Sequence, residues 1–303
     1  MQIIVLGSAA GGGFPQWNCR CPNCRLAWAG DPRVAPRTQS SVAVSTDGHD
    51  WVLVNASPDL RQQIMATPAL HPREAQRHTP IRSVVLTNGD VDHVAGLLTL
   101  RERQPFALHA SPSLLETLAR DPIFNVLDPA LVARRPMALD QASDVAGLRV
   151  TPFAVPGKVP LFLETDEVQV GLETDMTVGL DIAANGRRAV YVPGCAAVTA
   201  GLLDRIAGAD LLLFDGTTYT DGEMVDLGLA PEGFSPKTAA RMGHVAMSGP
   251  SGSLAALKGA RVGSRVYLHI NNTNPVLVEG SPERGAVEAA GWRVAHDGME
   301  IGL

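Results

Sequence analysis

A cluster of potential metal ligands follows an apolar segment in the first third of the chain. Residues 83–87 have the apolar, β-branched character of a buried strand, and Asn88, Asp90, Asp92 and His93 come soon after it. Carboxylate, amide and imidazole groups all bind metal ions in proteins. The pattern therefore indicates either a metal site at a strand end or a solvated loop with Asp or Asn at a helix N-cap.

Cysteines form a second cluster of metal-binding side chains. Cys19, Cys21 and Cys24 have the spacing Cys-x-Cys-x-x-Cys, which allows three thiolates to surround one tetrahedral Zn²⁺. Such a site is structural when protein fills every position, and incidental buried cysteines are the alternative. The sequence offers no fourth ligand nearby, so we expect one from a distant segment, either the 269–274 loop or another histidine.

Composition narrows the class of protein that carries these clusters. The chain has 303 residues, is 45% hydrophobic and has a formal net charge of −6. This is enough for a sizeable core, and the negative charge argues against a nucleic-acid binder. The sequence contains no run of about 18 apolar residues, which a membrane-spanning helix would need. The N-terminus lacks the basic segment of a signal peptide. We therefore expect a cytoplasmic protein with reduced cysteines and no membrane contact.

Short apolar segments predict the strands that position these ligands. Several are continuous rather than alternating, which is typical of strands buried on both faces. Helical patterns lie between them at 111–119, 199–206 and 281–290. These patterns predict a mixed α/β architecture, in which helices cover the sheets and loops carry the functional side chains. The predicted strands are 2–6, 41–45, 51–55, 83–87, 149–155, 177–183, 189–192, 210–214 and 266–270.

The polar cluster resembles the signature of the metallo-β-lactamase superfamily, His-x-His-x-Asp-His, which follows a strand and opens a helix. In this chain it reads Asn88-Gly-Asp90-Val-Asp92-His93, and the Ala-Gly-Leu at 95–97 is also family-like. The resemblance implies an α/β fold, an αββα four-layer sandwich of two mixed sheets flanked by helices. It implies a single domain over residues 1–303, with a zinc-clipped loop around 11–30.

Departures from the superfamily pattern predict one active-site metal ion instead of two. The ligand positions for one of the superfamily's two ions are occupied here by Asn88, Asp90 and Lys158, and a lysine cation would repel a metal ion. The position of the bridging aspartate carries Cys195. The second ion, by contrast, keeps its ligands, which are Asp92, His93 and His269. Two histidines and one carboxylate form the ligand set of non-haem Fe(II) oxygenases, although zinc hydrolases use a similar set.

The whole chain also resembles the coenzyme PQQ synthesis protein B family. The resemblance rests on Gly-Gly-Gly-Phe-Pro-Gln-Trp-Asn-Cys-Arg-Cys-Pro-Asn-Cys at 11–24 and on segments 87–97, 214–219, 242–248 and 269–275. It implies a role in making pyrroloquinoline quinone (PQQ) from a peptide-derived, cross-linked Glu–Tyr precursor. It further implies Fe(II)- and O₂-dependent hydroxylation of the tyrosine ring. The catalytic and iron-binding residues would be Asp90, Asp92, His93 and His269.

A substrate with several carboxylates needs cationic or amide partners. Lys158 is a candidate cation, and His244 is a candidate for proton transfer. Alternatively, Lys158 is a surface residue and His244 is a hydrogen-bonded histidine of the core. The asparagines and Thr273 would then serve only to form turns at a strand end. The candidate substrate-binding residues are Asn88, Lys158, His244, Asn271, Asn272 and Thr273.

Two other functions compete with the hydroxylase. A non-catalytic carrier of PQQ or an intermediate fits the depleted metal position, and a zinc-dependent hydrolase fits the superfamily fold. The expected cofactors are active-site Fe(II) and structural Zn²⁺, with O₂ as co-substrate. The expected partners are a small amino-acid-like quinone precursor, other PQQ-pathway proteins and a second copy of the chain in a homodimer. Nucleic acid and membrane are not expected.

Overall fold

The computed structural model describes residues 1–164, 169–229 and 237–303 of the chain. The strands found there are β1 (Gln2–Gly7), β2 (Ser41–Ser45), β3 (Trp51–Val54), β4 (Ile81–Val85), β5 (Phe106–Ala110), β6 (Val132–Pro136), β7 (Ser143–Val145), β8 (Leu148–Gly157), β9 (Leu172–Ala184), β10 (Arg187–Val192), β11 (Leu211–Asp215), β12 (Ser264–Leu268), β13 (Arg293–Val294) and β14 (Glu300–Gly302).

These strands form two seven-stranded sheets, and each sheet is part parallel and part antiparallel. The first has the order β14-β1-β2-β3-β4-β5-β6 and the second has the order β13-β12-β11-β10-β9-β8-β7. In the first sheet the ladders from β3 to β6 are parallel. In the second sheet the ladders from β10 to β13 are parallel. Parallel strands place their carboxyl ends at one edge of a sheet, where loop-borne side chains can meet.

Helices cover the outer faces of both sheets. They are α1 (Pro22–Trp28), α2 (Leu60–Ala66), α3 (Val91–Val94), α4 (Pro112–Arg120), α5 (Ala200–Ile206), α6 (Glu223–Asp226), α7 (Ala239–Met242), α8 (Ser253–Ala256) and α9 (Pro282–Ala289). Helix α4 shows why these segments become helical. Ser111 caps its N-terminus by accepting a hydrogen bond from the Leu114 amide, Pro112 occupies its first turn, and Leu114 and Leu118 are buried.

Three apolar clusters hold the layers together, and β11 shows how one strand serves two of them. Leu211 and Leu213 pack in the cluster between the two sheets. Leu212 and Phe214 point the other way, into the cluster that also contains residues of α5 and α9. Because successive side chains alternate between faces, a continuous apolar run suits a strand that is buried on both sides. A third cluster joins the first sheet to α2 and α4.

This architecture confirms the predicted four-layer sandwich of two mixed sheets flanked by helices. Each predicted strand overlaps an observed one; 41–45 coincides with β2, and the others differ at one or both ends. Predicted segment 83–87 lies two residues too late, because β4 starts at Ile81 and Thr87 instead bonds to the side chain of Asn55. Strand β9 begins earlier than predicted, since its exposed first half carries no apolar pattern. Within the described ranges, no helix is both long and apolar enough to cross a membrane.

The core between the sheets predicts a large difference between two leucines of β9. Leu180 is fully buried there, whereas Leu172 of the same strand is 51% exposed. Leu180→Ala should lower the free energy of unfolding by about 2–5 kcal/mol through lost burial and a residual cavity. Leu172→Ala is the matched control and should change it by less than about 0.5 kcal/mol. Urea unfolding of both variants measures this, and equal losses would contradict the assigned packing.

Candidate metal and active site

The candidate ligands lie on segments that follow one strand from each sheet. In the first sheet β4 ends at Val85, and the short helix α3 then carries Asp92 and His93. In the second sheet β12 ends at Leu268, directly before His269. His269 has a φ of 57°, a left-handed conformation that is uncommon for a non-glycine residue and is often found at functional sites. The two segments meet at the end of the sandwich.

Asp92, His93 and His269 converge on one point. Asp92 Oδ2 lies 3.1 Å from His269 Nε2 and 3.9 Å from His93 Nε2. One ligand atom from each residue falls within 4.8 Å of the others. His93 Nε2 is buried and has no hydrogen-bond partner. Because a buried polar nitrogen without a partner is costly, its direction toward two other ligand atoms fits a metal ion.

Asn88 fixes the orientation of His93. Asn88 Oδ1 lies 2.6 Å from His93 Nδ1 and also accepts the Asp90 amide at 3.1 Å. Since this oxygen only accepts, Nδ1 carries the proton and Nε2 keeps its lone pair for a metal. Asn88 Nδ2 in turn donates to Asp90 Oδ2 at 3.0 Å. The contacts of Asn88 are thus with other site residues, and its predicted role toward substrate stays a prediction.

Asp215, which the sequence analysis did not single out, organises the other side of the site. Thr217 Oγ1 donates to Asp215 Oδ1 at 2.7 Å, and the same hydroxyl lies 2.9 Å from His269 Nδ1. His244 Nδ1 donates to Asp215 Oδ2 at 2.8 Å. The Thr217 hydroxyl has one proton, so it accepts from His269 Nδ1 and leaves Nε2 of that ring facing Asp92. The available signal was a carboxylate at the end of an apolar run, since residues 211–214 precede it.

Burial and charge set the protonation of these groups. Burial lowers the pKa of His93 to about 4, so this ring is neutral, as a metal ligand must be. Burial also acts to lower the pKa of His269, but its hydrogen bond to Asp92 and the charge of that carboxylate raise it overall. Burial acts to raise the pKa of Asp92, and the opposing influence of His93 and His269 lowers it. Positive charge is therefore favoured where His269 Nε2 meets Asp92.

A second potential ligand set overlaps the first. Asp215, His244 and His269 also offer ligand atoms within 4.8 Å of one another. The rings of His244 and His269 are stacked, with centroids 5.3 Å apart. However, His244 Nδ1 and Asp215 Oδ2 are engaged in their mutual hydrogen bond, and Asp215 Oδ1 accepts from Thr217. Burial raises the pKa of Asp215, but His244, His269 and Thr217 lower it below its ordinary value, which keeps it ionised. The set therefore acts as a support for His269.

Asp90, which was also predicted to bind iron, belongs to none of the three candidate ligand sets found among the described residues. Its carboxylate accepts from Asn88, and burial together with the charge of Asp92 raises its pKa.

Cys195, at the superfamily's bridging position, is fully buried, and burial raises the pKa of its thiol. Its amide donates to Asp215 Oδ2 at 3.0 Å. The backbone of Gly194 also lies close, because a Cβ there would be 3.1 Å from His244 Cε1.

The three clustered cysteines meet as predicted, and their sulfurs form one candidate ligand set. The Cys21 amide donates to Cys19 Sγ at 3.4 Å and the Cys24 amide donates to Cys21 Sγ at 3.5 Å. Hydrogen bonding from Cys21 lowers the pKa of Cys24, and the same pairing raises that of Cys21. Amides directed at sulfur stabilise thiolates, which are the form that binds metal.

Asn272 connects the cysteines to the segment that carries His269. Its amide nitrogen lies 3.1 Å from Cys19 Sγ and 3.3 Å from Cys24 Sγ. Asn23 in α1 donates to the carbonyls of Asn272 and Asn274 at 3.1 and 2.9 Å. The buried Asn272 side chain thus contacts the sulfurs, and its predicted contact with substrate is not supported by these neighbours. It does come from the 269–274 loop, where a fourth zinc ligand was expected.

The other candidate substrate contacts have partners within the fold. Asn271 Nδ2 donates to Thr273 Oγ1 at 2.6 Å, and Thr273 donates to Glu223 Oε1 at 2.5 Å. Burial raises the pKa of Glu223. Lys158 Nζ lies 2.7 Å from Glu164 Oε1, so this lysine is paired rather than a solvated surface residue. Their roles toward substrate stay predictions.

Some known proteins are similar to this chain in both sequence and fold, and others share only its fold. Residues 50–270 match the model of a beta-lactamase superfamily domain. Coenzyme PQQ synthesis protein B of Methylobacterium nodulans is 62% identical, with 100% of both chains covered. A crystal structure of Zn²⁺-bound PqqB from Methylobacterium extorquens is 57% identical, covers 100% of both chains and superposes with a TM-score of 0.97. A diphosphatase of the PhnP family, 19% identical over 100% of this chain and 97% of its own with a TM-score of 0.68, shares the fold alone. The chain therefore belongs to the coenzyme PQQ synthesis protein B family, within the beta-lactamase superfamily.

Proposed function

We propose that this chain acts in PQQ biosynthesis as a non-haem iron enzyme that hydroxylates the tyrosine ring of a cross-linked Glu–Tyr precursor. The names of its relatives support the pathway. The observation that carries the chemistry is the convergence of Asp92, His93 and His269 within 4.8 Å. Two imidazoles and one carboxylate with open positions are the ligand set of Fe(II) oxygenases.

The contacts of these residues support the assignment of a single ion. Asp92, His93 and His269 would hold Fe(II), with Asp90 as the proposed fourth ligand. Lys158 replaces a superfamily ligand with a cation, and Cys195 is a buried thiol whose pKa is raised by burial. Both changes disfavour a second ion. When bound, ferrous iron supplies the one-electron chemistry that allows O₂ to react with an aromatic ring.

The protein's own contribution is orientation. Asn88 holds the Nδ1 proton of His93, and Thr217 with Asp215 holds that of His269. Substrate positioning beside the open ligand positions would supply the entropic part of the catalysis. In each hydroxylation one oxygen atom enters a ring C–H bond and the other leaves as water. This balance needs two electrons and two protons from an external reductant.

We further propose that Cys19, Cys21 and Cys24 hold a structural Zn²⁺. The amide of Asn272 faces the sulfurs, and a half-turn of this amide would direct Oδ1 toward them as the fourth ligand. A zinc ion there would hold the 11–30 loop against the His269 segment. We also propose that the chain is cytoplasmic, forms a homodimer and works with other proteins of the PQQ pathway.

The hydroxylase proposal predicts incorporation of oxygen atoms into the substrate. Protein reconstituted anaerobically with Fe(II) is mixed with the cross-linked Glu–Tyr amino acid and ascorbate, and then exposed to ¹⁸O₂. Mass spectrometry should show a product heavier by ¹⁸O, because the inserted atom comes from dioxygen. His93→Ala should abolish the shift, and the exposed His49→Ala is the control.

Two outcomes would contradict the hydroxylase. A zinc-loaded protein that cleaves esters or phosphodiesters without oxygen would favour the hydrolase. Tight PQQ binding that is unchanged in His93→Ala, with no turnover of the precursor, would favour the carrier.

Metal analysis should separate the two proposed sites. In protein purified without oxygen, Cys21→Ser should lose zinc and keep most of its iron, whereas His93→Ala should lose iron and keep its zinc. Elemental analysis by inductively coupled plasma mass spectrometry measures both contents in one sample. Loss of both metals from each variant would show that the two sites are not independent, and no loss of zinc from Cys21→Ser would refute the structural zinc site.

The hydrogen bonds around His269 predict that Thr217 tunes metal affinity without being a ligand. Thr217→Val removes the hydroxyl that accepts from His269 Nδ1 and should weaken Fe(II) binding by about 10–100-fold. Anaerobic titration with Fe(II) against a competing chelator gives the affinity. Thr46→Val, at a partly exposed position away from these histidines, is the control. An affinity equal to that of the control would mean that Thr217 does not orient the ring.

A further inference from the structure

Lys158, Glu164 and Arg241 form an ion-pair cluster whose carboxylate lies between two cations. Lys158 Nζ is 2.7 Å from Glu164 Oε1, and Arg241 Nη2 is 3.2 Å from Glu164 Oε2. The Glu164 side chain is only 8% exposed, whereas that of Arg241 is 36% exposed. Within this trio of described residues, two positive charges face one negative charge. The trio itself therefore carries one positive charge in excess, and it opens to solvent on the arginine side.

This cluster lies beside the proposed iron site. The Lys158 stem packs on the backbone between Arg241 and His244, because a Cβ at Gly243 would be 3.2 Å from Lys158 Cγ. On its other side, a Cβ at Gly89, the residue before Asp90, would lie 2.9 Å from Pro160 Cγ. The segment that carries Lys158 therefore also packs against the turn that carries Asp90. A ligand that reached Lys158 would lie next to the metal-binding residues.

Little buried apolar surface holds Glu164 in place. The turn before it, Leu161–Leu163, contains no buried residue. Leu161 is 70% exposed and Phe162 is 54% exposed. Displacing the Glu164 carboxylate would therefore break its two ion pairs but disturb little of the core. A carboxylate from another molecule could restore the same two pairs.

We propose that Lys158 and Arg241 form the subsite for one substrate carboxylate, and that Glu164 occupies this subsite as an internal competitor until substrate displaces it. The inference rests on the proposed function for the identity of the substrate, a small amino acid with several carboxylates. Arginine and lysine recognise a carboxylate by charge-assisted hydrogen bonds, and arginine does so with two parallel bonds. Glu164 already shows that a carboxylate fits between them.

Anaerobic calorimetry with the cross-linked Glu–Tyr amino acid tests the subsite, because the two changes should act in opposite directions. Arg241→Gln should raise Kd about tenfold through loss of a charge-assisted hydrogen bond. Glu164→Gln should lower Kd, because it removes the competing charge and leaves both cations. Lys158→Met is a second variant that should raise Kd. Glu116→Gln and Arg120→Gln, which alter an exposed ion pair on α4, are matched controls.

A purely structural ion pair would give a different pattern. Glu164→Gln and Arg241→Gln would then weaken binding together and lower the melting temperature together. That pattern, or a Kd that either variant leaves unchanged, overturns the subsite. Substrate analogues with a single carboxylate converted to an amide add a double-mutant cycle. One of them should bind wild type more weakly, and that loss should shrink in Arg241→Gln.

Parallel ¹⁸O measurements separate this inference from the proposed function. The expected pattern of Kd values without oxygen incorporation would overturn the hydroxylase and keep the carboxylate subsite. Oxygen incorporation with Kd values that the variants leave unchanged would overturn the subsite alone. No binding of the precursor to wild type would overturn both.

Discussion

The contact between Asp92 Oδ2 and His269 Nε2, 3.1 Å long, brings together segments from the two sheets of the sandwich. Asp92 follows a strand of the first sheet and His269 follows a strand of the second, so neither sheet alone contains the site. His93 joins them from the same turn as Asp92. The positions of all the proposed iron ligands therefore depend on how the two sheets pack. Their shared apolar core is thus part of what positions the site.

Burying this many polar groups requires that each have a partner. An isolated buried carboxylate is costly, and Asp215 is fully buried. Contacts from His244, Thr217 and the Cys195 amide offset that cost. The same contacts fix the Nδ1 side of His269. One network therefore makes the burial tolerable and orients a candidate metal ligand, while His93 Nε2 is left without a partner at the centre. This unmet need is the strongest physical argument for a bound ion.

The sandwich and the convergence of Asp92, His93 and His269 could be predicted from the sequence, but the residues that contact these three candidate ligands could not. Continuous apolar runs such as 211–214 predicted buried strands, whereas β13 and β14 are too short to give a pattern. Local spacing placed Asp92 beside His93, and the superfamily resemblance added His269. Glu164 and Arg241 are 77 residues apart, so their pairing was invisible to any local pattern. The same holds for Asn272, which meets Cys19 across 253 positions. Contacts of this kind are fixed by tertiary packing.

Crystallography of protein loaded with Fe(II) without oxygen tests the central claim most directly, using anomalous scattering on both sides of the iron absorption edge. We predict one iron peak in contact with Asp92, His93 and His269, and none at the cysteines. A peak held by Asp215 and His244 instead, or two iron peaks in the site, would contradict it.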